Sequence, residues 1–350
     1  MKKIIRWLGK LMVSGFLAIT VLNIFSLFYY NFGIRKTNTT GATDYVWENT
    51  FYSLATEGFA LGFNDENGLN NSFEPKKNDV DILLMGSSHM EARNVPQNKS
   101  TAYLLNQKLY QYEANKYVYN IGVEGHDFYR QASNLENAIK IYEPKSYVIM
   151  QMSMITLDEN KMREVLDGTL EKSNAYDEGI IYYLQKVPFL RVIHHQLVGL
   201  REKNSAEETQ LAKEINSADE TQAAEEMQSI EYESLLEELL STLATACADN
   251  DCGLIIFYIP SVSINNNEMQ ALYDKEAVQQ FENVCLKNNI VFVNMAEDFN
   301  DAYSENRIIP YGFSNTSIGS GHLNRNGHAL VADRLFETIM KLESEWSGIQ

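Results

Sequence analysis

Residues 79–96 read Asp-Val-Asp-Ile-Leu-Leu-Met-Gly-Ser-Ser-His-Met-Glu-Ala-Arg-Asn-Val-Pro, and this stretch decides the fold. Val80 to Met85 is a short apolar run stopped by Gly86, the pattern of a strand buried on both faces rather than a half-exposed one. Two serines and a histidine follow at once. A strand that ends in Gly and small hydroxyl residues places them on a turn at the carboxyl edge of a sheet, where open α/β folds bind their ligands. Ser88 is the candidate nucleophile. Taken alone, Gly-Ser-Ser-His is explained by a turn followed by a helix cap, so the assignment depends on residues far along the chain.

Working outward, Leu104, Leu105, Leu109 and Tyr112 have helical spacing, Tyr117 to Ile121 reads as a second strand, and Asp127 can cap a helix running to about Tyr142. Tyr147 to Met152 is a third buried strand. Strand and helix in alternation imply right-handed crossovers and a parallel sheet. Asp158 to about Leu200 is helix-prone decoration that includes Pro188 and the pair His194-His195. Glu231 to Cys247 has a leucine stripe and reads as an amphipathic helix, Gly253 to Ile259 as the fourth strand, Glu268 to Asn288 as a helix and Ile290 to Val293 as the fifth strand. Asp298 to Ser320 reads as a long polar loop. It leads to Gly321-His322-Leu323-Asn324-Arg325-Asn326-Gly327-His328 and a strong helical pattern from Ala329 to Leu342.

The beginning and end of this span together resemble the SGNH/GDSL hydrolase family, in which a Ser on the turn after the first strand pairs with a His just before the last helix. The resemblance covers about Asp79 to Leu342. It implies a three-layer α/β/α domain with a central, mostly parallel five-stranded sheet, and a catalytic pair of Ser88 and His322. His322 stands where a loop can aim it and a helix can fix it; His89, His126 and His328 have packing or capping roles. Gly122-Val123-Glu124-Gly125 resembles the family's second block, so the amides of Ser88 and Gly125 are the expected oxyanion hole.

Two positions depart from the family pattern. The family's Asp three residues before the His is replaced by Gly319, which leaves a Ser-His dyad, or a His oriented by a backbone carbonyl or by a residue such as Asn315. The Asn of the third block is absent from Gln151-Met-Ser-Met-Ile-Thr156, with Ser153 or Gln151 as the available substitutes. The resemblance implies a serine esterase or O-acyltransferase acting on acyl esters of cell-surface carbohydrate or a cell-wall polymer, without cofactor or metal. Hydrolysis and transfer share the acyl-enzyme, and no motif separates them. The alternative is an inactive carbohydrate-binding or assembly module on the same fold.

The chain has 350 residues, 45% of them hydrophobic, enough for a large globular core. Six of its 29 Lys and Arg lie before residue 37, where there is no acid, leaving 23 basic against 47 acidic residues beyond it. A surface this acidic repels phosphate backbones and argues against nucleic acid. Leu11 to Tyr30 is twenty residues without a charge, what a bilayer core asks of a helix. Four basic residues precede it and two follow, so an uncleaved single-pass anchor with a cytoplasmic N-terminus and an extracytoplasmic domain is expected; a cleavable signal peptide is the alternative. Such an anchored domain looks like the extracytoplasmic proteins that work beside multi-pass O-acyltransferases.

The expected organisation is a tail over 1–10, an anchor over 11–32, a stalk and lead-in over 33–77, and the hydrolase-like domain over 78–350. Asp65-Glu66-Asn67-Gly68 begins like a calcium loop but lacks the closing Glu, and reads as a turn. An acidic insert at about 200–230 contains a tandem repeat, Asn204 to Ile215 echoed by Asn216 to Met227. Cys247, Cys252 and Cys285 have no metal spacing; buried free thiols are expected, with a Cys247–Cys252 bridge as the alternative.

Overall fold

The computed structural model describes residues 2–48, 51–73, 79–112, 114, 116–172, 179–194, 196–197 and 222–347. Helix α1 (Lys2–Tyr29) is long and apolar enough to cross a membrane by length and composition. The chain then forms short strands, β1 (Tyr30–Asn31), β2 (Arg35–Thr37), β3 (Tyr45–Trp47), β4 (Phe51–Leu54) and β5 (Ala60–Phe63). Strands β1, β4 and β5 make one antiparallel sheet and β2 pairs antiparallel with β3. The described part of the stretch expected as a stalk and lead-in over 33–77 thus contains strands and packs on the domain. Ala42, Tyr45, Trp47, Leu69 and Phe73 are buried in the main core, because aromatics scattered among Asn, Thr and Gly supply enough apolar area to pin a loop-rich segment.

The central sheet is built from β6 (Ile82–Met85), β7 (Val118–Asn120), β8 (Tyr147–Met152), β9 (Gly253–Tyr258) and, after a hairpin of β10 (Ser261–Asn265) and β11 (Glu268–Leu272), β12 (Val291–Asn294). All its pairings are parallel, in the order β12-β9-β8-β6-β7. Alternate side chains enter opposite cores. Leu83, Met85, Val148 and Ile256 pack with the helices Phe128–Tyr142, Gln222–Ala248 and Lys275–Lys287. Ile82, Leu84, Ile149 and Phe257 pack with the helices Thr101–Gln111, Ala296–Asn306 and Arg325–Ser347. These are the three expected layers. The strand order reverses direction at the β6/β8 boundary, where such sheets open a crevice beyond their carboxyl ends.

Two elements differ from the sequence reading. The helix expected over Glu268–Asn288 begins only at Lys275, capped by Asp274; before it, Glu268–Leu272 pairs with Ser261–Asn265 across Asn266 and Asn267, both left-handed at φ 50° and 64°, as a tight hairpin turn requires. The polar loop expected from Asp298 starts as the end of a helix, Ala296–Asn306, whose Phe299, Ala302 and Tyr303 are buried. Cys247, Cys252 and Cys285 are free and buried. His195 and repeat residues 204–221 lie outside the described residues, and the repeat's last six residues begin the helix Gln222–Ala248.

One buried ion pair ties the N-terminal strands to the sheet. Glu91 and Arg93 are 2% and 1% exposed, with Arg93 Nε 2.7 Å from Glu91 Oε1. Burial pushes the Glu91 carboxyl up and the Arg93 charge opposes this. Arg93 also donates to the Phe32 carbonyl and to Asn64 Oδ1, at 3.0 and 2.8 Å, and lies over the Trp47 and Tyr52 rings. Glu91 takes hydrogen bonds from the Trp47 indole and the Glu124 amide. Breaking one side of such a pair strands a buried charge, so Arg93→Met is expected to cost about 3–5 kcal/mol, read as a drop in the urea midpoint at unchanged slope.

Candidate active site

Ser88 opens α2 (Ser88–Glu91), a single turn directly after β6 whose N-cap, Ser87, is extended. Gln151 at the end of β8 holds this turn from behind. Its Oε1 accepts from the Ser87 amide at 2.9 Å and the Ser87 hydroxyl at 2.8 Å, and its Nε2 donates to Ser153 Oγ at 2.7 Å. Gln151 is thus committed to the turn that carries Ser88, and Ser153 to Gln151. Both stay beside Ser88 in a cavity of about 220 Å³ that Gly125, Phe128, Met154 and Leu157 also line. The amides of Ser88 and Gly125 donate to no acceptor among the described residues; that of Ser88 is the first N–H of a helix, which has no partner within the helix.

His322 reaches this turn from the other end of the chain. Its Nε2 is 2.9 Å from Ser88 Oγ. Asn324 caps the following helix with bonds to the Asn326 and Gly327 amides, and the Gly312 amide donates to the His322 carbonyl at 3.0 Å, so the backbone carrying the imidazole is held on both sides. Of the other ring nitrogens nearby, His89 Nδ1 accepts the Leu323 amide at 3.3 Å and His328 Nδ1 lies 2.9 Å from Thr101 Oγ1. Burial, then the charge of His322, pushes both rings down to about 3. They are neutral packing and capping groups, as the sequence suggests.

The acid that the sequence reading leaves unfilled is Glu57, between β4 and β5. Its Oε2 lies 2.6 Å from His322 Nδ1, and its Oε1 accepts the His322 amide at 3.0 Å. A carboxylate on Nδ1 makes that nitrogen the donor and leaves the Nε2 lone pair facing the Ser88 hydroxyl. Burial alone would raise the Glu57 pKa and lower that of His322; the bond and charge between them outweigh burial, so Glu57 is lowered and His322 raised.

Asn315, offered by the sequence to orient the imidazole, braces the turn that carries Glu57 instead. It accepts the Gly58 amide and donates to the Ala55 and Gly58 carbonyls, each at 2.9 Å. Asn94 Nδ2 donates to Glu57 Oε2 at 3.1 Å.

The glycines before His322 make room for this arrangement. A Cβ on Gly321, at φ +82°, would stand 2.5 Å from Glu57 Oε1, and one on Gly319, at φ +88°, 2.6 Å from Ile264 Cδ1. A carboxylate at position 319 would therefore be strained, and Glu57 already occupies Nδ1. Gly321→Ala should push the carboxylate off the ring while leaving Ser88 in place. The expected result is a fall in kcat of about 10²-fold or more with fluorophosphonate labelling slowed in proportion; unchanged kcat would show that Glu57 tolerates displacement.

On the far side of Ser88 a second pocket of about 110 Å³ is lined by Tyr30, Phe32, Leu54, Glu57, Glu124 and His322. A larger open groove of about 820 Å³ runs along the β12 edge between Leu286 and Arg334 and has no serine, cysteine or histidine in its lining. Among the described residues no group of three or more His, Cys, Asp or Glu is placed to hold a metal.

No family model matches the chain, and no curated protein matches it. Solved structures do. TesA is 11% identical, with 75% of this chain and 98% of that one covered at a TM-score of 0.40. The psychrotrophic esterase EstA from Pseudoalteromonas sp. is 13% identical, with 75% and 98% covered at 0.37. An acetylxylan esterase from Geobacillus stearothermophilus is 12% identical, with 76% and 95% covered at 0.40.

Proposed function

We propose that the chain is a serine esterase or O-acyltransferase in which Ser88 is the nucleophile, His322 the general base and Glu57 the group that orients His322. The observation that carries this is the continuous line Glu57 Oε2 to His322 Nδ1 at 2.6 Å and His322 Nε2 to Ser88 Oγ at 2.9 Å. A serine hydroxyl is a weak nucleophile until a neighbouring base takes its proton. Here Ser88 Oγ attacks the ester carbonyl carbon as its proton passes to His322 Nε2. The C=O electron pair moves onto oxygen, where the Ser88 and Gly125 amides can stabilise it. The pair returns, the C–O bond to the alcohol breaks, and the imidazolium protonates the departing oxygen. Water or an acceptor hydroxyl then resolves acyl-Ser88 by the reverse steps.

The 220 Å³ cavity is smaller than the ~300–1,000 Å³ of drug-sized ligand sites and suits a short acyl group, acetyl being the simplest. On the other side of Ser88, Thr56, Asn94 and Glu124 line the second pocket, polar company for a hydroxylated alcohol such as a sugar. Acetyl esters of cell-surface carbohydrate are therefore the substrate class we put forward, with α1 as an anchor and the domain on the extracytoplasmic side. The test is acetate release from p-nitrophenyl acetate and an acetylated polysaccharide by the full chain and Ser88→Ala. Turnover by the wild type that Ser88→Ala abolishes supports the reading; equal rates overturn it. Acyl-Ser88 that turns over only with a glycan acceptor identifies a transferase.

A further inference from the structure

The hairpin that carries Glu57 is joined to α1 rather than hung from the catalytic domain alone. The Ala55 amide donates to the carbonyl of Tyr29, the last residue of α1, at 2.9 Å, two residues from Glu57. Ser53 Oγ donates to the Leu27 carbonyl at 2.5 Å. In the β1-β4-β5 sheet, Phe51 is opposite Phe63 and Ser53 opposite Leu61, so these four share one face. That face looks toward the end of α1: the Phe28 ring meets Phe51 edge-on at 6.4 Å, and Phe51 meets Phe63 at 5.7 Å.

This aromatic row is continuous with the apolar surface of α1 and is open to solvent. Phe59 is 81%, Phe63 57% and Leu61 50% exposed. A second segment also meets α1 and β1: the Phe189 amide donates to Asn23 Oδ1 at 3.3 Å and the Arg191 guanidinium donates to Asn31 Oδ1, with Tyr183 and Leu197 exposed on the same segment. Exposed apolar side chains grouped in this way mark a surface that meets something. Phe and Tyr collected where an apolar helix ends are what the boundary between bilayer and water selects.

We propose that the β4–β5 hairpin rests in the head-group layer of a lipid bilayer, with Phe59, Leu61 and Phe63 as its contacts, so that the Ser88 cleft is held at the membrane surface and acts on acyl esters presented there. The docking half rests on α1 crossing the membrane; the substrate half rests also on the esterase or transferase reading of Ser88. A geometric consequence is that the tie between Ala55 and Tyr29 fixes the acid of the catalytic line to the last residue of α1. Tyr30 and Phe32, immediately after α1, line the pocket beside His322, so a substrate entering there passes the root of the anchor.

The test uses the full chain in phosphatidylcholine and phosphatidylglycerol vesicles. An NBD label is placed singly at Phe59→Cys, Phe63→Cys or, on the far edge of the domain, Leu286→Cys, which is 75% exposed; the three native cysteines are buried. Labels at 59 and 63 are expected to be blue-shifted and quenched at least threefold more by head-group-proximal spin-labelled lipid than the label at 286. Quenching at 59 and 63 no greater than at 286 overturns the docking, whether or not the protein turns over any ester. For the substrate half, the triple variant Phe59→Ser/Leu61→Ser/Phe63→Ser should keep p-nitrophenyl acetate hydrolysis within twofold while acetate release from 1,2-dioleoyl-3-acetylglycerol in the same vesicles falls tenfold or more. Parallel behaviour on the soluble and the vesicle-borne ester overturns it.

Discussion

Ser88→Ala and His322→Ala should each remove nearly all ester turnover, and the double variant should be little worse than either single one. Groups that act as one unit are not additive: once the hydroxyl is gone the imidazole has no proton to take, and without the imidazole the hydroxyl is not activated. The expected loss is on the order of 10⁴–10⁶-fold in kcat for each single variant, with residual catalysis from the amides and binding. Losses that multiply in the double variant would mean that the two residues act separately, despite the 2.9 Å between Ser88 Oγ and His322 Nε2. Ser88→Ala should change stability little, because that side chain is partly exposed at the cleft.

Glu57→Gln should be nearly as damaging and should leave a different signature. An amide can present its NH₂ to Nδ1 and favour the wrong tautomer, so kcat is expected to fall on the order of 10⁴-fold. The pH profile is the more specific readout. In the wild type, burial lowers the His322 pKa, the Glu57 bond and charge raise it, and the net effect is upward. The stabilisation from the charged pair is thus present below the ordinary histidine value of about 6.5 and fades as pH rises through the raised value. Catalysis has the opposite sign, since the base must be neutral, so the acid limb of kcat/KM should lie above pH ~6.5. In Glu57→Gln the largest upward influences vanish and burial remains, so the limb should move to lower pH while the plateau falls. A limb that stays in place would show that Glu57 does not set the imidazole's charge.

The places of Ser88, Gly125 and His322 on the fold are legible in the sequence because each sits at a junction that local chemistry announces: a buried strand ending in Gly, a second strand ending in Gly, and a loop running into a capped helix. Glu57 has no such signal. It lies on a turn between two four-residue strands, 31 positions before Ser88, and reaches His322 only because the N-terminal strands fold back over the sheet. The departure at Gly319 left the partner of His322 open between no partner, a backbone carbonyl and a residue such as Asn315, and linear spacing does not point to Glu57.

The misread elements have local causes. Glu-Met-Gln-Ala-Leu over 268–272 is composed of good helix formers, and its pairing with Ser261–Asn265 overrides that preference. The three asparagines at 265–267 were the available clue, since Asn accepts the left-handed turn conformation that the hairpin needs. The helix Ala296–Asn306 hid in a polar composition, although Phe299, Ala302 and Tyr303 recur at helical spacing.

The central claim is that Ser88 is a nucleophile activated by His322, which Glu57 orients. Its most direct test is reaction of the full chain with a fluorophosphonate, followed by peptide mass mapping and labelling rates for wild type, His322→Ala and Glu57→Gln. The account predicts one phosphonyl adduct, on Ser88, formed fastest in the wild type and slowed in both variants. No adduct on folded protein, an adduct on another residue, or equal labelling rates in all three would contradict it.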